Sequence, residues 1–172
     1  MLKVIISGFG GQGVLTMGQI LADMALHAGK EVTWMPSYGA EMRGGTANCA
    51  VIIADKPIGS PIVLGNVDIL CALNTPSVDK FLPRMRAGGH AIINSSIVTK
   101  MPENGDFAIT PVDATNLAMQ AGNARATNMA MLAGLLKINN IFQIDDVRAA
   151  LKRRFDGRDD LVDLNMKVME MV

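Results

Sequence analysis

The distribution of apolar residues predicts that strands and helices alternate along the chain. An apolar run over residues 2–7 has the length of a buried strand. Across residues 13–28, apolar side chains recur every three or four positions, the spacing of one helix face, and Gly29 ends the helix. A second strand is predicted at residues 31–35, stopped by Pro36. Together these elements predict a βαβ unit with parallel pairing and a right-handed crossover.

Further strands follow, with one more helix among them, and the pattern then becomes mainly helical. Thr75 as the N-cap and Pro76 as the N1 residue begin this helix, which Pro83 interrupts and Gly88-Gly89 ends. Further strands are predicted at residues 48–54, 68–73, 90–94 and 107–112, and helices at 113–121, 125–137, 144–155 and 159–171. The predicted fold is therefore a single α/β domain over residues 1–172, with a Rossmann-like, doubly wound and mostly parallel sheet and a helical C-terminal end.

Composition and charge narrow the class of protein. The 172 residues are 49% hydrophobic and 19% charged, which is typical of a chain with a large core. Lys+Arg and Asp+Glu are both 16, so no net charge attracts nucleic acid or an anionic membrane. No apolar run reaches the roughly 18 residues of a membrane span, and we find no secretory signal. We therefore expect a cytoplasmic protein that binds neither nucleic acid nor membrane.

The cysteines, histidines and methionines bear on metal sites and contact surfaces. Cys49 and Cys71 lie in apolar strands and are expected to be buried thiols. Four thiolates hold a Cys₄ iron–sulfur cluster, so this chain cannot bind one alone. His27 and His90 have no metal-ligand spacing, so no metal site is predicted. The 13 methionines are interpreted mainly as core residues; beyond residue 160, a core role and a flexible contact surface are equally open.

The chemistry of the chain centres on glycines after the first predicted strand. Gly8, Gly10 and Gly13 form G-x-G-x-x-G and precede the first helix. Such a turn presents backbone N–H groups and a helix N-terminus to an anion, usually a phosphate. The alternative is a turn that only lets helix and strand pack closely. Gln12 could hydrogen-bond a ligand or a neighbouring backbone group.

A nicotinamide dinucleotide is disfavoured as the ligand. Dinucleotide folds place an acidic residue at the end of the second strand, where it binds the ribose. Here that strand ends at Met35-Pro36-Ser37, with Glu31 at its opposite end and Asp23 inside the first helix. The ribose-binding acid is therefore missing.

A second candidate segment, from Ser37 to Thr46, follows the second predicted strand. Arg43 can bind phosphate or carboxylate bidentately, although an ion pair with Glu41 is the alternative. Loops at the carboxyl ends of strands line one crevice in a doubly wound sheet, so both segments are expected to meet one anionic ligand. The candidate ligand-binding residues are Gly8, Gly10, Gly11, Gln12, Gly13, Tyr38, Glu41, Arg43, Gly44 and Gly45; no catalytic residue is predicted.

These two motifs together carry a family resemblance. Gly8-Phe9-Gly10-Gly11-Gln12-Gly13, with residues 37–49, resembles the gamma subunit of 2-oxoacid:ferredoxin oxidoreductases, also described as the pyruvate/ketoisovalerate oxidoreductase family. Residues 57–61 and 123–128 extend the resemblance over nearly the whole chain. Glu41-Met42-Arg43 is most similar to the 2-oxoglutarate or branched-chain 2-oxoacid members. The family often has proline where this chain has Ala40.

The resemblance implies an accessory role in a larger enzyme. The family oxidises a 2-oxoacid and coenzyme A to acyl-coenzyme A and carbon dioxide, and reduces ferredoxin. The resemblance implies that thiamine diphosphate with magnesium lies between alpha and beta subunits. It also implies 4Fe–4S clusters on the beta subunit and on a ferredoxin-like subunit. This chain is expected to carry none of these; Phe107 follows Gly105-Asp106 where a thiamine diphosphate motif has glycine. The glycine turn and Arg43 would contact coenzyme A phosphates or a neighbouring subunit.

Two other functions stay open. The chain could be a stand-alone nucleotide-binding oxidoreductase, or the equivalent subunit of an indolepyruvate:ferredoxin oxidoreductase.

An accessory subunit is expected to expose more apolar surface than a monomer does. The methionine-rich tail and the loop from Pro57 to Gly65 are the candidate contact surfaces. An isolated chain could form a homodimer through them.

Overall fold

A computed structural model shows an α/β fold and describes residues 1–37, 46–103 and 105–172. Strands predominate in the first two thirds of the chain, with α1 and α2 among them, and helices make up the last third, as predicted. Their bounds are β1 Leu2–Phe9, α1 Val14–His27, β2 Glu31–Ser37, β3 Thr46–Ala54, β4 Val67–Ala72, α2 Thr75–Phe81, β5 Met85–Asn94, β6 Ala108–Val112, α3 Ala114–Gln120, α4 Thr127–Ile138, α5 Ile144–Arg154 and α6 Asp159–Glu170. Short 3-10 turns precede β5 and α4.

The strands form one mixed sheet in the order β2-β3-β1-β4-β5-β6. β1, β4, β5 and β6 pair in parallel, whereas β3 is antiparallel to both β1 and β2. The predicted α/β class is therefore confirmed. The predicted direct parallel pairing of β1 with β2 is wrong, because β3 lies between them, although β1 and β2 still run in the same direction.

The residues of β2 and β3 explain this order. A strand inside the sheet is covered on both faces, and β3 is buried on both, through Val51, Ile52 and Ile53 in succession. β2 carries Glu31 and Pro36, which suit an edge. Pro36 does not end the strand as predicted, because an edge strand needs no backbone donor on its outer side.

Two predictions around α2 are also wrong. Asn74, not Thr75, caps the helix: its side-chain oxygen accepts a hydrogen bond from the Ser77 backbone N–H at 2.9 Å. The helix ends at Phe81, and Gly88-Gly89 lies inside β5 rather than at a helix end. The buried apolar residues of β5 begin only at Ala91, which is why the apolar pattern missed its first half.

The two faces of the sheet are covered unequally. α1 and the C-terminal helices cover one face with the larger core, in which every residue from Ala126 to Leu135 is buried. The other face has a smaller core, formed by β1, β4 and β5 with α2 and Val98. Met35 on β2 points to this second face and is exposed. The described residues thus cover the second face incompletely over the end of β2 and the start of β3.

The methionine and cysteine predictions are largely confirmed. Most methionines on helix faces are buried: Met17, Met24, Met129, Met131, Met166 and Met169. Of the three methionines beyond residue 160, Met166 and Met169 are core residues and only Met171 is exposed. Cys49 and Cys71 are buried free thiols. Burial raises the pKa of the Cys49 thiol to about 12 and also raises the pKa of Cys71.

The raised thiol pKa values predict that the fold weakens in alkali. An unfolded thiol loses its proton near its ordinary pKa of 9.0, whereas folded Cys49 keeps it up to about 12. The free energy of unfolding should therefore be level below pH 9 and fall above it, by up to about 1.4 kcal/mol per pH unit for each thiol. Urea denaturation from pH 7 to 10.5 measures this slope. Cys49→Ala should lose one thiol's share of it; an unchanged slope would contradict the assignment.

A second prediction concerns the contact between α1 and the sheet at Gly18. A Cβ at this position would lie 2.5 Å from Cys49 Sγ and 2.8 Å from Trp34 Nε1. Gly18→Ala should lower the free energy of unfolding by about 1–3 kcal/mol, because overpacking outweighs the gain in helix propensity. Gly59→Ala, which meets no atom within 4 Å, is the matched control in the same urea titration. Equal stability of the two variants would argue against this packing.

Candidate functional site

The glycine turn connects the end of β1 to the start of α1. Gly11 and Gly13 have φ values of 94° and 76°, in the left-handed region that glycine adopts without strain. Gly13 is the N-cap residue of α1. The Gln12 backbone N–H donates to the Phe9 carbonyl at 3.2 Å, which closes the turn. Glycine is therefore required at two positions by backbone conformation alone.

The Gln12 side chain holds the turn from within. Its Oε1 accepts a hydrogen bond from the Phe9 backbone N–H at 2.6 Å, and its Nε2 donates to the Leu73 carbonyl at 3.4 Å. Leu73 in turn donates its backbone N–H to the Ser7 carbonyl at 2.8 Å. Of the two roles considered for Gln12, the structure shows the hydrogen bonds to neighbouring backbone. The carboxamide thus ties the turn to the chain just after β4.

Gly8 and Gly13 are glycines because there is no room for a side chain. A Cβ on Gly8 would lie 2.7 Å from Gln12 Oε1 and 2.9 Å from Leu73 Cβ. A Cβ on Gly13 would lie 2.6 Å from the carboxamide of Asn128. Close packing therefore accounts for these two positions. Gly10 and Gly11, by contrast, are exposed at the surface of the turn.

Asn128 is a residue of the site to which the sequence analysis assigned no role. Its Nδ2 donates to the Gly13 carbonyl at 3.2 Å, the same oxygen that accepts the Met17 backbone N–H at 2.9 Å. Asn128 is buried near the start of α4. A signal for it exists in the sequence, because it is a polar residue inside an otherwise apolar helical run.

An open cleft of about 360 Å³ lies in front of the turn. The first-turn backbone N–H groups of α1 have no acceptor within the helix, and this turn carries no acidic side chain. Helix dipole and free donors together make this end of the cleft suited to an anion. The residues that line it include Phe9, Gly10, Gly11, Gly13, Val14, Leu15, Thr16 and Ala47.

Five of the candidate residues fall outside the described part of the chain: Tyr38, Glu41, Arg43, Gly44 and Gly45. The residues that flank this segment are described. Ser37 ends β2 opposite Asn48, and Thr46 begins β3 opposite Phe9. β2 and β3 therefore meet the segment at the edge of the sheet where the glycine turn begins.

The topology separates this site from a dinucleotide site. The connections after β1 and β4 leave toward opposite sides of the sheet, which makes their carboxyl ends a topological switch point. However, β3 lies between β1 and β2, so the end of β2 is about 10 Å from β1. Asp23 is paired with Arg153 at 2.5 Å, and Glu31 is at the far end of β2. Neither carboxylate occupies a ribose-binding position.

Residues 1–37, 46–103 and 105–172 contain no group of three or more histidine, cysteine or acidic side chains placed to hold a metal ion. No helix among them has the length and apolar character required to span a membrane.

The chain is an α/β domain in which the antiparallel strand β3 is inserted into an otherwise parallel sheet. Beside this strand, the glycine turn lines a cleft that suits an anion. The chain belongs to the pyruvate ferredoxin/flavodoxin oxidoreductase family, which it matches over residues 3–172. This confirms the resemblance drawn from the two motifs.

Relatives and a solved structure agree. The chain is 38% identical over 171 residues to a ketoisovalerate oxidoreductase subunit of Methanothermobacter marburgensis, across 98% of this chain and 35% of that protein. It is 30% identical to the common gamma subunit of the pyruvate/ketoisovalerate oxidoreductases of Thermococcus kodakarensis, across 91% and 88%. A gamma subunit structure from Geobacter sulfurreducens superposes with a TM-score of 0.83, at 29% identity, across 99% and 95%. The chain thus spans about a third of the length of the first two curated relatives.

The hydrogen bond from Asn128 predicts an effect on the glycine turn. Asn128→Ala should lower the free energy of unfolding by about 1–3 kcal/mol, because it leaves the Gly13 carbonyl with one donor fewer in a confined setting. Amide hydrogen exchange should accelerate in residues 10–16 more than elsewhere. Asn165→Ala removes a bond to Leu161 within α6, and serves as the control that leaves the turn unchanged. Unaltered exchange at the turn in Asn128→Ala would contradict the role.

Proposed function

We propose that this chain is the gamma-type component of a 2-oxoacid:ferredoxin oxidoreductase. The observation that carries the proposal is the family match over residues 3–172, combined with a glycine cleft that the fold leaves open. The complex would convert a 2-oxoacid and coenzyme A to acyl-coenzyme A and carbon dioxide, with ferredoxin as electron acceptor. The chain would be an accessory component, without catalytic activity alone.

The partners in this proposal carry the redox chemistry. Alpha and beta components would hold thiamine diphosphate with magnesium, and 4Fe–4S clusters would lie on the beta and ferredoxin-like components. The two cysteines support that division. Both are buried, and burial raises the pKa of each thiol, whereas iron–sulfur clusters are bound by deprotonated thiolates. The cytoplasm is the proposed location of the complex.

The glycine cleft is the proposed contact for an anionic group of coenzyme A. Coenzyme A carries phosphates that backbone N–H groups at a helix N-terminus bind well. Val14, Leu15 and Thr16 supply such groups, and Gly10 and Gly11 allow a phosphate to approach the backbone. The candidate residues of the neighbouring segment, Arg43 among them, would add a bidentate cation at the same edge. A loop of another subunit is the alternative occupant.

The proposed function is tested on the assembled complex. The chain is tagged, the complex is purified from its native host, and 2-oxoacid-dependent reduction of ferredoxin is measured with and without coenzyme A. A panel of pyruvate, 2-oxoglutarate, branched-chain 2-oxoacids and indolepyruvate identifies the substrate and separates the indolepyruvate alternative. A purified chain that is active alone, or that holds a nucleotide detectable by its absorbance, would favour the stand-alone oxidoreductase and contradict the proposal.

A substitution at the start of α1 tests the anion contact. Thr16→Asp places a carboxylate in the cleft while satisfying the preference of a helix N-terminus for acidic residues, so the fold should be retained. The dissociation constant of coenzyme A from the complex should rise by about tenfold through charge repulsion. Gln120→Glu, an exposed position at the end of α3, is the charge-matched control. Isothermal titration gives both constants, and equal values would refute the contact.

Arg43→Ala provides an independent test of the second segment. Loss of a bidentate cation should weaken coenzyme A binding by about tenfold or more. The same titration measures it, and Arg125→Ala, at an exposed position before α4, is the control. Unchanged affinity in Arg43→Ala would assign this residue to subunit contact or to an ion pair with Glu41.

A further inference from the structure

The incompletely covered face over β2 and β3 contains an apolar groove. The groove measures about 380 Å³ and lies between the outer surface of these strands and the end of α2. Its lining includes Ile5, Met35, Ala50, Ile62, Phe81 and Arg84. It is on the opposite side of the sheet from the larger core, so none of the C-terminal helices covers it.

The connection between β3 and β4 presents aliphatic side chains beside this groove. Val63 packs onto the smaller core, whereas its neighbours Ile62 and Leu64 are 55% and 82% exposed. The central residue therefore anchors the segment and the two flanking residues are held outward. Together with Met35, which is 44% exposed, they form an apolar rim that water covers in the isolated chain.

The end of the groove at α2 is positively charged. The Arg84 guanidinium lies 5.2 Å and the Lys80 ammonium 5.3 Å from the centre of the Phe81 ring. The ion pairs formed by the described residues include neither cation. Arg84 is also half-buried, so its position is fixed by the ring. The groove thus combines apolar walls with a positioned guanidinium that can bind a carboxylate.

We infer that this groove seats an apolar segment with a carboxylate, belonging to another component of the same oxidoreductase. The inference rests on the proposed function. The domain is part of a longer chain in one relative and nearly an entire subunit in another. A surface that is buried within one polypeptide in the first case must be an intersubunit surface in the second. The groove is a described surface whose apolar rim and positive end match such a contact.

Site-specific crosslinking tests which molecule occupies the groove. A photoreactive amino acid replaces Ile62, an exposed lining residue of the groove, in the tagged chain, and the complex is irradiated and analysed by mass spectrometry. The expected product joins residue 62 to a peptide of another component that contains Asp or Glu. Leu26, 61% exposed on α1 and therefore on the other face, is the matched control position. A product with a second copy of this chain, or equal yields at both positions, would overturn the inference.

Charge reversal tests the guanidinium. Arg84→Glu should weaken the binding of the chain to the rest of the complex by about tenfold or more, and Lys80→Glu by less, because the lysine is more exposed. Lys152→Glu on α5 is the control cation. Ile62→Ser perturbs the groove without altering a buried residue, and should weaken binding while the urea midpoint stays unchanged. Wild-type affinity in both Arg84→Glu and Ile62→Ser would overturn the inference.

Assembly of the wild-type chain and binding of the groove variants fail separately, which distinguishes a failure of the proposed function from a failure of this inference. If the tagged wild-type chain assembles with no thiamine diphosphate-dependent component, the proposed function fails and the inference fails with it. If the chain assembles into an active complex but the groove variants bind normally, only the placement of the contact is wrong. Activity measurements on the groove variants then show whether the intact complex retains turnover.

Discussion

The candidate site depends on two carboxamides that fix the glycine turn at the start of α1. Gln12 joins the turn to the chain after β4, and Asn128 joins it to α4. The same contacts leave no space for a side chain on Gly8 or Gly13. Because the turn is held from beneath, its outer surface at Gly10 and Gly11, with the N-terminus of α1, is free to face a ligand. The cleft is therefore a property of the packing below it.

The antiparallel strand β3 gives this sheet its distinct character. It separates β2 from β1 and moves the end of β2 away from the position where a dinucleotide fold binds ribose. It also directs the chain back toward the glycine turn, since Thr46 pairs with Phe9. The consequence is a sheet that retains a glycine turn at a switch point but lacks the arrangement of a nicotinamide site. A phosphate-bearing ligand remains compatible with that geometry.

The described residues cover the two faces of the sheet unequally, which supports the proposed accessory role. One face is covered by helices, with α4 buried from Thr127 to Leu135, while the other has an apolar groove beside Phe81 and Arg84. Exposed aliphatic residues at Ile62 and Leu64 are costly in water, because each would gain from burial by roughly 1.5–3 kcal/mol. Such a surface is understandable in a domain that functions within a larger assembly, as the relatives' names describe.

The sequence alone determined most strands and helices, the buried cysteines and the family, since these depend on local apolar spacing and on two short motifs. It identified the residues of the glycine turn because left-handed backbone and close approach both require glycine. The strand order, the edge position of Pro36 and the strand containing Gly88-Gly89 were decided by tertiary structure. The hydrogen bond from Asn128 to Gly13 joins residues 115 positions apart. No local pattern encodes which distant groups meet; that is decided when the layers pack and every buried donor must find an acceptor.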